Sequence, residues 1–167
     1  SIIQDSNRDI WFGTYEGLVR YDSHDFTSYK HDPQDNKTIS GNLITHITPD
    51  NDGGIWISSY STGLTYFNIN KQILTQYTEQ TETQPGLASN IVMATLLDGD
   101  KLWVGTAKGL NLIDLKDNSI KFFDYHLDKD AKKGGVTSLA KDAEGKIWLG
   151  TTKGLYFVDQ ANSIIVP

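Results

Sequence analysis

Few residues in this chain stand at spacings that could do chemistry. The stretch "DNDGG" (50–54) has the alternating oxygen donors that open a calcium loop. The twelfth ligand position of such a loop falls at Ser59, where a bidentate Glu is needed, so a hairpin turn is the expectation. The histidines, His24, His31, His46 and His126, are scattered, with no H-E-x-x-H and no close pair that would hold zinc. Neither G-x-S-x-G nor G-x-G-x-x-G occurs, and the absence of cysteine rules out thiolate ligands and nucleophiles. Acidic residues cluster at turns, where they are ordinary, and no pair stands out for acid–base work. The expectation is therefore no catalytic residue, no metal and no cofactor.

Two tyrosines are more informative. Tyr15 and Tyr60 each lie four residues after a tryptophan, in a short polar stretch between apolar runs. The equivalent positions further on are Ala107 and Thr152. Two such rings could stack on a sugar ring while their hydroxyls serve as hydrogen-bonding handles. The alternative is that they pack over the rim of the fold. Glu16, Lys108 and Lys153 occupy the same short stretches and complete the candidate ligand-binding set Tyr15, Glu16, Tyr60, Lys108 and Lys153.

The elements that must position these residues are set by a repeat. Trp11, Trp56, Trp103 and Trp148 are spaced by 45, 47 and 45 residues. A Gly-Leu pair follows each: Gly17-Leu18, Gly63-Leu64, Gly109-Leu110 and Gly154-Leu155. An apolar residue and then Asp or Asn come next, and after a polar turn a last apolar run such as "FTSY" (26–29) or "ILTQY" (73–77). Each repeat thus reads as four short strands, A to D, with Trp on B and Gly-Leu opening C. Turns rich in Asp, Asn and Gly separate them. No helical period persists. Short strands repeating at this interval predict an all-β fold, a β-propeller of four four-stranded antiparallel blades. The blades are expected at about 1–30, 42–77, 90–125 and 135–166 of a single segment, 1–167, read as a fragment of a larger propeller.

Scaffold roles follow for the recurring residues. The four tryptophans should fill space between blades. The four glycines of the Gly-Leu pairs should adopt the left-handed conformation at a hairpin turn. The residue two after Trp is Gly13, Ser58, Gly105 or Gly150, which suggests a demand for smallness and not for positive φ. In an antiparallel blade the B–C turns and D–A connections emerge on one face. The D–A connections are long and dissimilar (30–41, 78–89 and 126–135), so this face is the expected place of recognition.

The pattern D-x-x-G-x-[IL]-W-[IVL]-G-T-x-x-G-L resembles the two-component regulator propeller repeat. "SLAKDAEGKIWLGTTKGLYFVD" (138–159) and "SIIQDSNRDIWFGTYEGLVRYD" (1–22) match it best, while "WISS" in repeat 2 and the short "DGDKLW" turn in repeat 3 depart from it. The resemblance implies an extracytoplasmic, periplasmic sensor segment of a hybrid two-component system of the Bacteroidetes type, responding to oligosaccharides. It also implies that any kinase lies outside this chain, that further blades and downstream sensor domains are its partners, and that the bacterial context makes the glycosylation pattern at Asn36-Lys37-Thr38 incidental. The alternatives are a structural or protein-interaction scaffold without a ligand and, third, a propeller enzyme of quinoprotein type. The D-x-x-G…W element of "DAEGKIW" (142–148) suits the latter, but the W-x-G-T…G-L run does not.

Composition bounds the partners. The chain has 167 residues, 38% hydrophobic and 22% charged, as in globular domains. Its net charge of −6 disfavours nucleic acid. No apolar run is long enough for a membrane helix, so no membrane contact by this segment is expected. Apolar blade faces, if left open, are expected to permit self-association.

Overall fold

A computed structural model describes residues 1–125 and 134–167. Every regular element among them is a strand. In chain order these are β1 (Ile2–Gln4), β2 (Ile10–Thr14), β3 (Gly17–Tyr21), β4 (Phe26–Tyr29), β5 (Ile44–Pro49), β6 (Gly54–Ser59), β7 (Gly63–Asn68) and β8 (Ile73–Tyr77). The second half adds β9 (Val92–Asp98), β10 (Lys101–Thr106), β11 (Gly109–Asp114), β12 (Ile120–Tyr125), β13 (Val136–Lys141), β14 (Ile147–Thr151), β15 (Gly154–Asp159) and β16 (Ile164–Val166). The residues form two compact units, Ser1–Thr78 and Glu79–Pro167. The third D–A connection and His126 fall largely or wholly outside the described residues.

In the first unit β1–β4 and β5–β8 are separate four-stranded antiparallel sheets. The core between them joins Trp11 and Leu18 to Ile44, Ile47, Ile55 and Phe67, and the Trp11 ring meets Phe67 edge-on at 6.1 Å. In the second unit the expectation of two further separate sheets needs correction. The outer strands β12 and β16 pair in parallel over two residues, Asp124 with Ile164 and Tyr125 with Ile165. This joins repeats 3 and 4 into one eight-stranded sheet. Its end strands, β9 and β13, lie side by side. The sheet folds over a core of Trp103, Leu110, Phe123, Val136, Ile147, Leu149 and Ile165.

The central strands β6 and β10 are buried on both faces, which is why period-two alternation is absent from their sequences. Trp11, Trp56 and Trp103 are fully buried. Trp148 is only half-buried, beneath the Lys146 ammonium at 5.4 Å, so the space-filling role holds least for the last tryptophan.

The glycines separate into two kinds. Gly17, Gly63, Gly109 and Gly154 have φ of 116°, 93°, 141° and 138°. These values lie beyond the left-handed helical region, in territory that only glycine occupies without strain. Gly13 and Gly105 have no such φ. A Cβ at Gly13 would stand 2.6 Å from Ile44 Cγ2, and one at Gly105 would stand 2.7 Å from Val136 Cγ1. Smallness there lets strand A of the following repeat within the unit approach strand B.

Candidate functional site

The B–C turns carry the five candidate residues, and a threonine holds three of these turns. Thr14, Thr106 and Thr151 each donate from Oγ1 to the carbonyl of the positive-φ glycine, at 2.7, 2.9 and 2.9 Å. The same oxygens accept from the backbone N–H of Glu16, Lys108 and Lys153, at 3.1, 3.3 and 3.1 Å. The last residue of W-x-G-T thus fixes the backbone of Glu16, Lys108 and Lys153. A recurring T-x-x-G was the sequence signal for this staple. Repeat 2 has Ser59 and a turn one residue longer, with Ser61 at φ 62°. There Ser59 Oγ donates instead to Gly41 O at 3.3 Å.

Tyr15 is 82% exposed and Tyr60 54%, and neither ring stacks on another described ring. Tyr60 N–H donates to Leu43 O at 2.8 Å, and Leu43 is itself an exposed apolar residue. Glu16 lies 3.6 Å from Lys30, both well exposed, so that pair contributes little. Lys108 forms an ion pair with Glu79, and its ammonium is the main cause that lowers the Glu79 carboxyl below its usual range. Lys153 is exposed. Tyr15, Glu16 and Tyr60 belong to the first unit and Lys108 and Lys153 to the second, so no single unit assembles the predicted set.

The D–A connections are anchored in the same way in both units. His31 N–H donates to Asn42 Oδ1 at 2.8 Å, and Glu79 N–H to Asn90 Oδ1 at 2.7 Å. Each connection then buries one aliphatic residue, Ile39 or Leu87. The next N–H reaches strand C of the following sheet or repeat: Ser40 to Thr65 Oγ1 at 3.2 Å, Ala88 to Asn111 Oδ1 at 2.9 Å. Thr65 and Asn111 were missed in the sequence because a polar residue two places after a turn glycine reads as solvent-facing, whereas both are buried.

Chemically, these turns and connections offer exposed aromatic rings, amides and paired charges. Among the described residues no group of His, Asp and Glu could hold a metal ion, and no helix is long and apolar enough to cross a membrane.

Comparison with known proteins agrees with this architecture. The family Two component regulator propeller matches residues 38–61 and 132–153. The structure is similar to the extracellular domain assigned to one hybrid two-component system of B. thetaiotaomicron, at 23% identity and a TM-score of 0.75, covering 99% of this chain and 20% of that one. A second such domain from the same organism gives 24% identity and a TM-score of 0.56, covering 99% of this chain and 29% of that one. A virginiamycin B lyase from Staphylococcus aureus shares the fold at 14% identity and a TM-score of 0.71, covering 99% of this chain and 53% of that one. The chain therefore spans under a third of the two extracellular domains. No curated protein sequence matches it.

Proposed function

We propose, from the premise that this chain is built of two-component regulator propeller repeats, that it is a ligand-binding segment of an extracytoplasmic sensor. The recurring four-strand repeat is the scaffold of this reading, and the part beyond this chain carries any catalysis. The segment itself has no enzymatic step. It binds and transmits.

The observation that carries the reading is the exposure of Tyr15 and Tyr60 on two B–C turns of one unit, the first held by Thr14 and the second by the Tyr60 N–H bond to Leu43 O. Large aromatic rings held on rigid turns, without a core to fill, lose little conformational freedom when a ring stacks on them. Hydroxyl-rich oligosaccharides present such faces, and phenolic hydroxyls can bond their rims. Glu16 adds a polar contact on the same turn.

The test is a thermal-shift screen of the 167-residue chain against oligosaccharides, followed by titration of Tyr15→Ala/Tyr60→Ala. A ligand at 100 times its Kd adds about 2.7 kcal/mol, well within reach of such a screen. The double variant should bind at least about tenfold more weakly. Undiminished affinity in the variant would remove the platform.

A further inference from the structure

The two D–A connections share their anchors but differ beneath them. In the first unit, Thr65 and Gln76 are cross-strand partners on β7 and β8. Gln76 Nε2 donates to Thr38 O at 3.0 Å and so ties strand β8 to the connection. In the second unit the same two positions are Asn111 and Phe122, partners on β11 and β12. Phe122 has no group with which to reach the connection. A cavity of about 210 Å³ opens there, lined by Gln80, Ala88, Lys108, Asn111 and Phe122.

Three features show a site and not a packing defect. Asn111 is 1% exposed, and its Oδ1 is taken by Ala88 N–H, so its amide orientation is fixed. Its Nδ2 carries two N–H donors, and Asn111 lines the cavity. Second, Phe122 is 43% exposed, with its ring laid across the B–C turn. A Cβ at Gly109 would stand 2.9 Å from Phe122 Cε2, so the glycine permits this placement. Third, the Lys108–Glu79 pair stands at the rim, with a donor and an acceptor side by side and little net charge.

We propose that this cavity binds a single neutral pyranose ring. The C–H face of the sugar lies on Phe122. One ring hydroxyl accepts from Asn111 Nδ2, and a neighbouring hydroxyl accepts from Lys108 while donating to Glu79. The volume is below the ~300–1,000 Å³ of drug-sized pockets, which limits the occupant to one ring. The pairing of Lys108 with Glu79 leaves no unbalanced cation to call for an anion. Gln80 supplies a further amide from the connection. This site lies wholly within the second unit and does not depend on Tyr15 or Tyr60.

The molecule contains its own control. Asn111→Thr/Phe122→Gln copies the Thr65 and Gln76 arrangement, keeping an acceptor for Ala88 N–H while removing the Asn111 amide and the aromatic face and turning the new amide at 122 to the connection, as Gln76 does. The probes are the methyl glycosides of glucose, galactose and mannose, titrated into the isotope-labelled 167-residue chain. The readout is the NMR shifts of the Asn111 side-chain amide and the Ala88 and Lys108 backbone amides. At least one glycoside should give saturable shifts at all three, with a millimolar Kd. The double variant should bind it at least about tenfold more weakly, while Tyr15→Ala/Tyr60→Ala leaves it unchanged. Phe122→Ala, at a partly exposed position, tests the stacking face should the double variant fail to fold, and it should weaken binding by a similar factor. Absence of saturable shifts with every glycoside, undiminished affinity in Phe122→Ala, or saturation by benzoate alone would overturn the proposal.

Discussion

Repeats 1 and 4 use their first turn differently from repeats 2 and 3. In repeats 1 and 4 the A–B turn aspartate holds the tryptophan. Trp11 Nε1 donates to Asp5 Oδ2 at 2.8 Å, and Trp148 Nε1 to Asp142 Oδ2 at 2.7 Å. The other carboxylate oxygen caps the turn, accepting from Asp9 N–H at 3.0 Å or Lys146 N–H at 2.8 Å. In repeats 2 and 3 the indoles of Trp56 and Trp103 are buried without a partner among the described residues. Two causes separate these cases. Asp50 precedes its tryptophan by the same six residues as Asp5 does, but Tyr66, the cross-strand partner of Trp56, captures Asp50 Oδ2 at 2.6 Å. Asp98 is one residue closer to Trp103, and its carboxylate pairs with Lys141 at 2.6 Å. The residue facing Trp across the strand pair and the length of the turn decide which partner wins. In repeat 1 the facing residue is Arg20, which binds Asp9 at 2.7 Å and leaves Asp5 to the indole.

The largest effects should follow the tryptophans themselves. Trp11→Ala empties a fully buried site and should cost about 3–5 kcal/mol in denaturant unfolding. Trp148→Ala, at a half-buried site, should cost about half as much. Equal losses would mean that the two rings do the same structural work. Next comes the clamp. Asp5→Ala leaves a buried indole N–H and a turn amide unpaired and should cost about 2–3 kcal/mol. Tyr66→Phe releases Asp50, and the Trp56 indole proton should move downfield in NMR spectra as it gains the carboxylate. An unmoved resonance would show that turn geometry, not competition, isolates Trp56.

The smallest effect concerns acid. The Asp142 carboxyl is held below its usual range, first by the Trp148 indole and then by turn amides. A depressed carboxyl contributes stability above the unfolded value, about 3.9, and loses it as pH falls through the folded one. Trp148→Phe should therefore lessen the decline of stability below about pH 4, in melts compared with pH 7. Because Asp142 is at the surface, the difference should be small. An unchanged decline would assign acid sensitivity to other carboxylates.

Much of the scaffold was legible because each of its demands is local and occurs four times. The tryptophan period, the turn glycines and the small residue two after Trp all correspond to backbone requirements that the structure shows at those positions. The pairing of β12 with β16 was not legible, since two parallel residue pairs between strands some forty residues apart leave no pattern. Nor was the role of Asn111, because its burial depends on a connection whose sequence differs from its counterpart. The candidate set Tyr15, Glu16, Tyr60, Lys108 and Lys153 was found by its place in the repeat, and the structure distributes it over two units. Position in a repeat identifies a turn. It does not say which turns converge.

The parallel contact between β12 and β16 also bears on solubility. An edge strand with free N–H and C=O groups is a template on which another chain can add. In the second unit each outer strand occupies part of the other's edge. In the first unit β4 and β8 end their sheets, with Phe26 and Ile73 exposed on them. If the chain misassembles on heating, strand addition at Phe26–Tyr29 or Ile73–Tyr77 is where growth would start, and the second unit is the half that resists it.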